Sequence, residues 1–170
     1  ASLTGGEYMA IDHNQQIVHI NTPYDDVIIK LNSKLNNTYI SYGSLGYEKK
    51  ALQSVQDSNA AELEEAIVVK QAVSKSSRLY KNSQWDLVDA VEDDEAVLSK
   101  LKDNDLPKEL QGKSKSEIKA YVDDKKAERE KIQKEIQELN AKREAFIAQS
   151  QKEEKGELEE GLNNCKEGSI

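Results

Sequence analysis

Cysteine, methionine, tryptophan and phenylalanine occur once each in the 170 residues, and proline occurs twice. Cys165 has no internal partner, so no disulfide staples the fold, and the redox compartment stays open. With aromatics at 5% and hydrophobic residues at 36%, the chain is poorly supplied for one deep core and better suited to elongated helices. The scarcity of Pro and Gly, beside many Lys, Glu, Ala, Leu and Gln, disfavours an all-β domain. No apolar run approaches the ~20 residues of a membrane span.

What the chain has is charge. The balance is −8, which opposes nucleic-acid phosphates and anionic membrane surfaces, so neither is an expected partner. The acids concentrate in residues 83–105, where Asp86, Asp89, Glu92, Asp93, Asp94, Glu95, Asp103 and Asp105 face only Lys100 and Lys102.

The N-terminal Ala1-Ser2-Leu3-Thr4-Gly5-Gly6 has neither the basic nor the apolar zone of a signal peptide and reads as the inside of a longer protein. Residues 7–11 and 16–20 are strand-like around the turn-prone Asp12-His13-Asn14-Gln15, a short hairpin that needs a surface to pack on. Thr22-Pro23-Tyr24-Asp25 starts a helix running to Asn36, with Tyr24, Val27, Ile28, Leu31 and Leu35 on one face. An extended segment from Thr38 to Gly43 follows.

Residues 44–80 read as one long helix with Leu52, Val55, Leu63, Ile67 and Val73 as its apolar stripe; Asp57-Ser58-Asn59 is the alternative point for a break. A shorter helix is expected over 84–101, with Trp85, Val88, Val91, Leu98 and Leu101 facing inwards, before Pro107 in a loop. Ser114-Lys115-Ser116-Glu117 is a capping box opening a helix over 114–155. Its seam, Ile118, Val122, Ile132, Ile136, Leu139 and Phe146, steps by four and three, with Lys125, Arg129 and Arg143 at intervening seam positions. Buried charge is costly in a continuous parallel homodimer, so the pattern favours an antiparallel hairpin against the 44–80 helix. Residues 156–170, rich in Glu, Gly and Asn, are expected to be a disordered tail.

No constellation for catalysis emerges. His13 and His19 lack zinc-ligand spacing, and Asp103-Asn104-Asp105 fails as a calcium loop because Lys108 and Ser114 occupy the positions that need Gly and Glu. No phosphate-cradling loop, nucleophile elbow or H-E-x-x-H motif is present. The candidate partner contacts are Trp85, readable as a surface anchor or a core anchor, and the acidic turn Glu92-Asp93-Asp94-Glu95. Tyr39, Tyr42 and Tyr47 flank a corner and read as a recognition patch or as corner packing.

The order of segments resembles a known family. Thr4-Gly5-Gly6-Glu7-Tyr8-Met9-Ala10-Ile11, then Thr22-Pro23-Tyr24-Asp25, Leu31-Asn32-Ser33-Lys34-Leu35-Asn36-Asn37-Thr38-Tyr39-Ile40 and Tyr42-Gly43-Ser44 are similar to the C-terminal end of a von Willebrand factor type A domain in bacterial envelope proteins. Trp85 to Ala90, Leu106 to Leu110, Ala120-Tyr121-Val122 and Arg143 to Ile147 extend the likeness into the helical tail that follows such a domain, over about residues 1–150. The resemblance implies residues 1–43 as the end of an α/β domain and 44–155 as a helical extension. It also implies a protein partner and a periplasmic, envelope-bound or secreted location. A divalent metal would be held by an upstream D-x-S-x-S loop that this chain lacks, so no metal ligand or cofactor is assigned to any residue here.

The expected fold is mainly α: a short N-terminal β-hairpin or strand remnant, then long helices forming an antiparallel helical hairpin. The expected function is a non-enzymatic interaction or structural scaffold. A cytosolic helical-hairpin adaptor unrelated to that family is the alternative.

Overall fold

The computed structural model describes residues 20–167. The expected hairpin over 7–20, His13, His19 and Thr4-Gly5-Gly6 lie outside those residues, apart from Ile20 itself. Over the described residues the protein is mainly α, and the β pairing among them is an isolated antiparallel bridge between Ser41 and Asp86.

Helix α1 spans Asp25–Asn36. The Asp25 carboxylate accepts from the Thr22 backbone N–H at 2.9 Å and from its hydroxyl at 2.8 Å, closing the turn that starts the helix. Ile28, Leu31 and Leu35 are buried as their spacing requires, whereas Val27 is 41% exposed and Asn32 takes a buried place instead.

The single helix expected over 44–80 is two. Helix α2 (Gly43–Leu63) stops at Glu64, whose backbone is extended (φ −162°, ψ 139°), and α3 (Glu65–Lys75) turns back. Lys75 Nζ meets Asp57 Oδ1 at 2.6 Å across that break. In a continuous helix, eighteen residues would separate them by ~27 Å. Asp57-Ser58-Asn59 stays helical.

The break resets the helical phase. Val68, Val69 and Ala72 carry α3's buried face, while Leu52 and Val55 of α2, expected inside, are each 54% exposed. The inner face of α2 is Gly46, Gln53 and Ala60; a Cβ at Gly46 would sit 3.1 Å from the Ser41 carbonyl carbon, so this helix approaches the preceding turn backbone to backbone.

The helix expected over 84–101 is also interrupted. Helix α4 (Leu87–Asp93) and the short α5 (Val97–Lys100) are separated at Asp94, and a 3-10 turn at Asp103–Asp105 leads into the Pro107 loop. Helix α6 (Lys115–Glu167) opens with the anticipated box: Ser114 N–H to Glu117 Oε2 at 2.8 Å and Glu117 N–H to Ser114 Oγ at 3.2 Å. It runs through Glu167 rather than ending near 155, so the described part of the expected disordered tail is helical.

The elements that touch α6 meet it in an order that runs opposite to its own sequence. Asp25 meets Arg143, Val73 meets Gln137, Asp89 meets Arg129 and Glu95 meets Lys119. The long helix therefore packs on α1, α3, α4 and α5, and not on the whole 44–80 stretch as one rod. Two small cores result. One gathers Leu31, Leu35, Tyr39, Val69, Trp85, Ile132 and Ile136; the other gathers Ile40, Leu87, Leu98, Leu106, Leu110, Ile118 and Val122.

Candidate interaction site

Three passages of chain cross from one core to the other: 39 to 40, 85 to 87, and 132 back to 122. Arg129, 4% exposed, occupies the α6 position between them. Its Nε donates to Thr38 Oγ1 at 3.0 Å and its Nη2 to the Thr38 carbonyl at 2.9 Å. Its Nη1 donates to Asp86 Oδ2 at 2.7 Å and Asp89 Oδ1 at 2.9 Å. The guanidinium also lies over the Tyr39 ring, 4.2 Å from its centroid.

The carboxylates are placed by local structure. Asp86 caps α4 by accepting from Asp89 N–H at 3.1 Å, and its Oδ1 accepts from Ile40 N–H at 2.7 Å. Asp89 Oδ2 accepts from Asn82 N–H at 2.7 Å. Burial opposes the charged guanidinium, but the Asp86 bond and the Asp86 and Asp89 charges outweigh it and hold Arg129 above its usual pKa. Burial, helped by neighbouring Asp86, pushes the Asp89 carboxyl above the ordinary carboxylate range against the Asn82 bond and Arg129. Burial likewise raises the Tyr39 phenol.

The candidate partner contacts divide here. Trp85 is 7% exposed and stacks at a tilt on Tyr39, ring centroids 5.6 Å apart, so it is a core anchor and not a surface one. Tyr39 is buried with it, Tyr42 donates to the Ser83 carbonyl, and Tyr47 is exposed, so the three tyrosines do not form one patch. The acidic turn is on the surface but engaged internally. Glu92 meets Lys126 at 3.6 Å, Asp93 meets Lys81 at 2.7 Å, Asp94 meets Lys100 at 3.9 Å and Glu95 pairs with Lys119. The Lys81 bond holds the Asp93 carboxyl below its usual range.

Sequence reasoning missed Arg129 as a centre. Its available signal was its place in the α6 seam, where a charge demands a buried counter-charge, together with the acids of 83–105.

Beside Arg129 an open groove of about 810 Å³ runs between residues 76–92 and residues 126–137 of α6. Beyond it, α6 loses its apolar seam. The four-three steps after Phe146 fall on Ser150, Glu153, Glu157 and Glu160, and residues 151–166 are exposed throughout. Cys165 is a free, exposed thiol on this arm.

Among the described residues, no cluster of His, Cys, Asp or Glu is arranged to hold a metal ion, and no helix is long and apolar enough to cross a membrane. No protein-family model, curated protein or solved structure matches the chain.

Proposed function

We propose that the chain is a non-enzymatic interaction scaffold whose working element is the exposed distal arm of α6. The observation that carries this reading is the arm itself: a 53-residue helix, ~80 Å long at 1.5 Å per residue, in which residues 151–166 are exposed on every side. A helix that buries no face in its own fold suits a spacer or a surface offered to a partner. The folded body, with Arg129 at its joint, supplies a rigid base.

The ordered segments resembling the end of a von Willebrand A domain support placing this scaffold at the C-terminal side of such a domain in a bacterial envelope or secreted protein. Any divalent metal would then belong to the upstream domain. The sequence preceding Ala1 tests that placement. A secretion signal followed by a D-x-S-x-S domain supports it; a native start near Ala1 favours the cytosolic adaptor.

The arm is tested by photo-crosslinking in native cells, with a benzophenone side chain placed at Leu158 or Leu162, which are 68% and 64% exposed, and at exposed Lys30 of α1 as a control. Discrete adducts from both arm positions and none from Lys30 are expected. Absence of arm adducts rejects the docking role.

A further inference from the structure

The last part of α6 carries an apolar face of its own. Leu158 and Leu162, 68% and 64% exposed, stand one helical turn apart, while the seam that packs on the body continues on a different face through Glu153, Glu157 and Glu160. At about 100° per residue, Glu154 and Glu157 border the two leucines on one side and Glu159 on the other.

These carboxylates differ from the acidic turn at 92–95, which lysines of the same chain engage. Glu154, Glu157, Glu159 and Glu160 are exposed and form no ion pair among the described residues. Over residues 151–167 six acids stand against three lysines, so the leucines sit in an unmatched negative field.

We propose that the Leu158–Leu162 face docks into an apolar groove rimmed by lysine or arginine on a separate protein, an inference that rests on the interaction-scaffold reading and names the partner's chemistry. A helix laid in a groove anchors through apolar residues three or four apart, and its flanking charges select the groove. Here the leucines are the anchors, and carboxylates on both flanks require cations on both rims.

A second copy does not meet that requirement. Its arm carries the same excess of acid, and cations of its body are engaged at home: Lys81 with Asp93 at 2.7 Å, Lys126 with Glu92 at 3.6 Å, and Arg129 with Asp86 and Asp89 at 2.7 and 2.9 Å. Nucleic-acid phosphates and an anionic membrane surface repel the same flanks.

The test uses the full chain and a fluorescein-labelled peptide of leucine and lysine at helical spacing, read by anisotropy at low and high salt, with the leucine–glutamate peptide of the same pattern as its charge control. L158A/L162A removes the anchors and keeps the charge; E157K/E159K reverses one carboxylate on each flank and keeps the anchors. E135K/E144K makes the same change in net charge at two exposed positions nearer the body of α6. Saturable, salt-sensitive binding of the leucine–lysine peptide is expected, weakened about tenfold or more by L158A/L162A and by E157K/E159K and about twofold or less by E135K/E144K, with no binding of the leucine–glutamate peptide. No saturable binding, indifference to L158A/L162A, or equal weakening by the two charge variants overturns the inference. Sedimentation of the chain alone should give a monomer; self-association lost in L158A/L162A assigns the face to a second copy and overturns the separate partner. Crosslinking at Leu158 and Leu162 reads docking of the arm whatever the partner's charge, so adducts without peptide binding reject the basic groove and keep the scaffold reading.

Discussion

Arg129 holds Thr38 by both its hydroxyl and its backbone carbonyl, at 3.0 and 2.9 Å, across ninety-one residues of sequence. The same guanidinium reaches Asp86 and Asp89, so one side chain ties the α1–α2 connection, the start of α4 and the first third of α6 together. A charge interrupting an apolar seam is here the fastener between two cores.

Removing that fastener leaves two carboxylates buried without a counter-ion. Arg129→Met should therefore destabilise the fold by about 3–5 kcal/mol, measured by urea unfolding followed by circular dichroism. Adding Asp89→Asn to Arg129→Met should recover part of the loss, because it removes one uncompensated charge. If the double variant is no more stable than the single one, Asp89 is not part of the penalty.

The phase reset at Glu64 sorts the apolar residues of the 44–80 stretch. Leu52→Ala and Val55→Ala should each change stability by less than ~0.5 kcal/mol, since both side chains are half exposed. Ile136→Ala, at a fully buried seam position, should cost about 2–5 kcal/mol. A loss of core size at Leu52 would show that α2 runs on in register with α3.

Asp25 gives the fold one acid-sensitive link. Burial works against its charged form, but the bonds from Thr22 and Arg143 prevail and lower its pKa beneath the ordinary 3.8. A lowered folded-state pKa stabilises the native state above pH 3.8, and that contribution fades as pH falls through the folded-state value. Asp25→Asn should thus be less stable than the parent by about 1–2 kcal/mol at pH 7, with the gap narrowing as pH falls below 3.8 and through the lowered folded-state value. A gap independent of pH would contradict the assignment.

Trp85 reports the first core directly. Its emission should be blue-shifted and weakly quenched by acrylamide in the native protein, and both properties should be lost on unfolding. Ready quenching in the native state would place the indole at the surface.

The arm should be dispensable to the body. A chain ending at Ser150 keeps Arg129, Ile132, Ile136 and Arg143, so its unfolding midpoint should stay close to that of the full chain. Trimming residues 114–155 instead removes Ile118, Val122 and Arg129 and should leave no cooperative fold. A large destabilisation on ending at Ser150 would mean that the arm packs on the body.

Local chemistry alone determined a good deal. The Thr22 to Asp25 start and Asn36 end of α1, the Ser114–Glu117 box and the seam from Ile118 to Ile136 follow from capping and four-three spacing, which need only neighbours in sequence. The mainly α character follows from composition. Tertiary structure decided where 44–80 and 84–101 are cut, because neither Glu64 nor Asp94 carries a breaker's signature and the gain from folding back is made by distant pairs such as Asp57 with Lys75. It also decided the roles of charge. Spacing marked Arg129 as an interruption and the acids of 83–105 as a surface; only the packing of three chain passages at one point made Arg129, Asp86 and Asp89 a single buried network, since desolvated charges are stable there only when all partners arrive together.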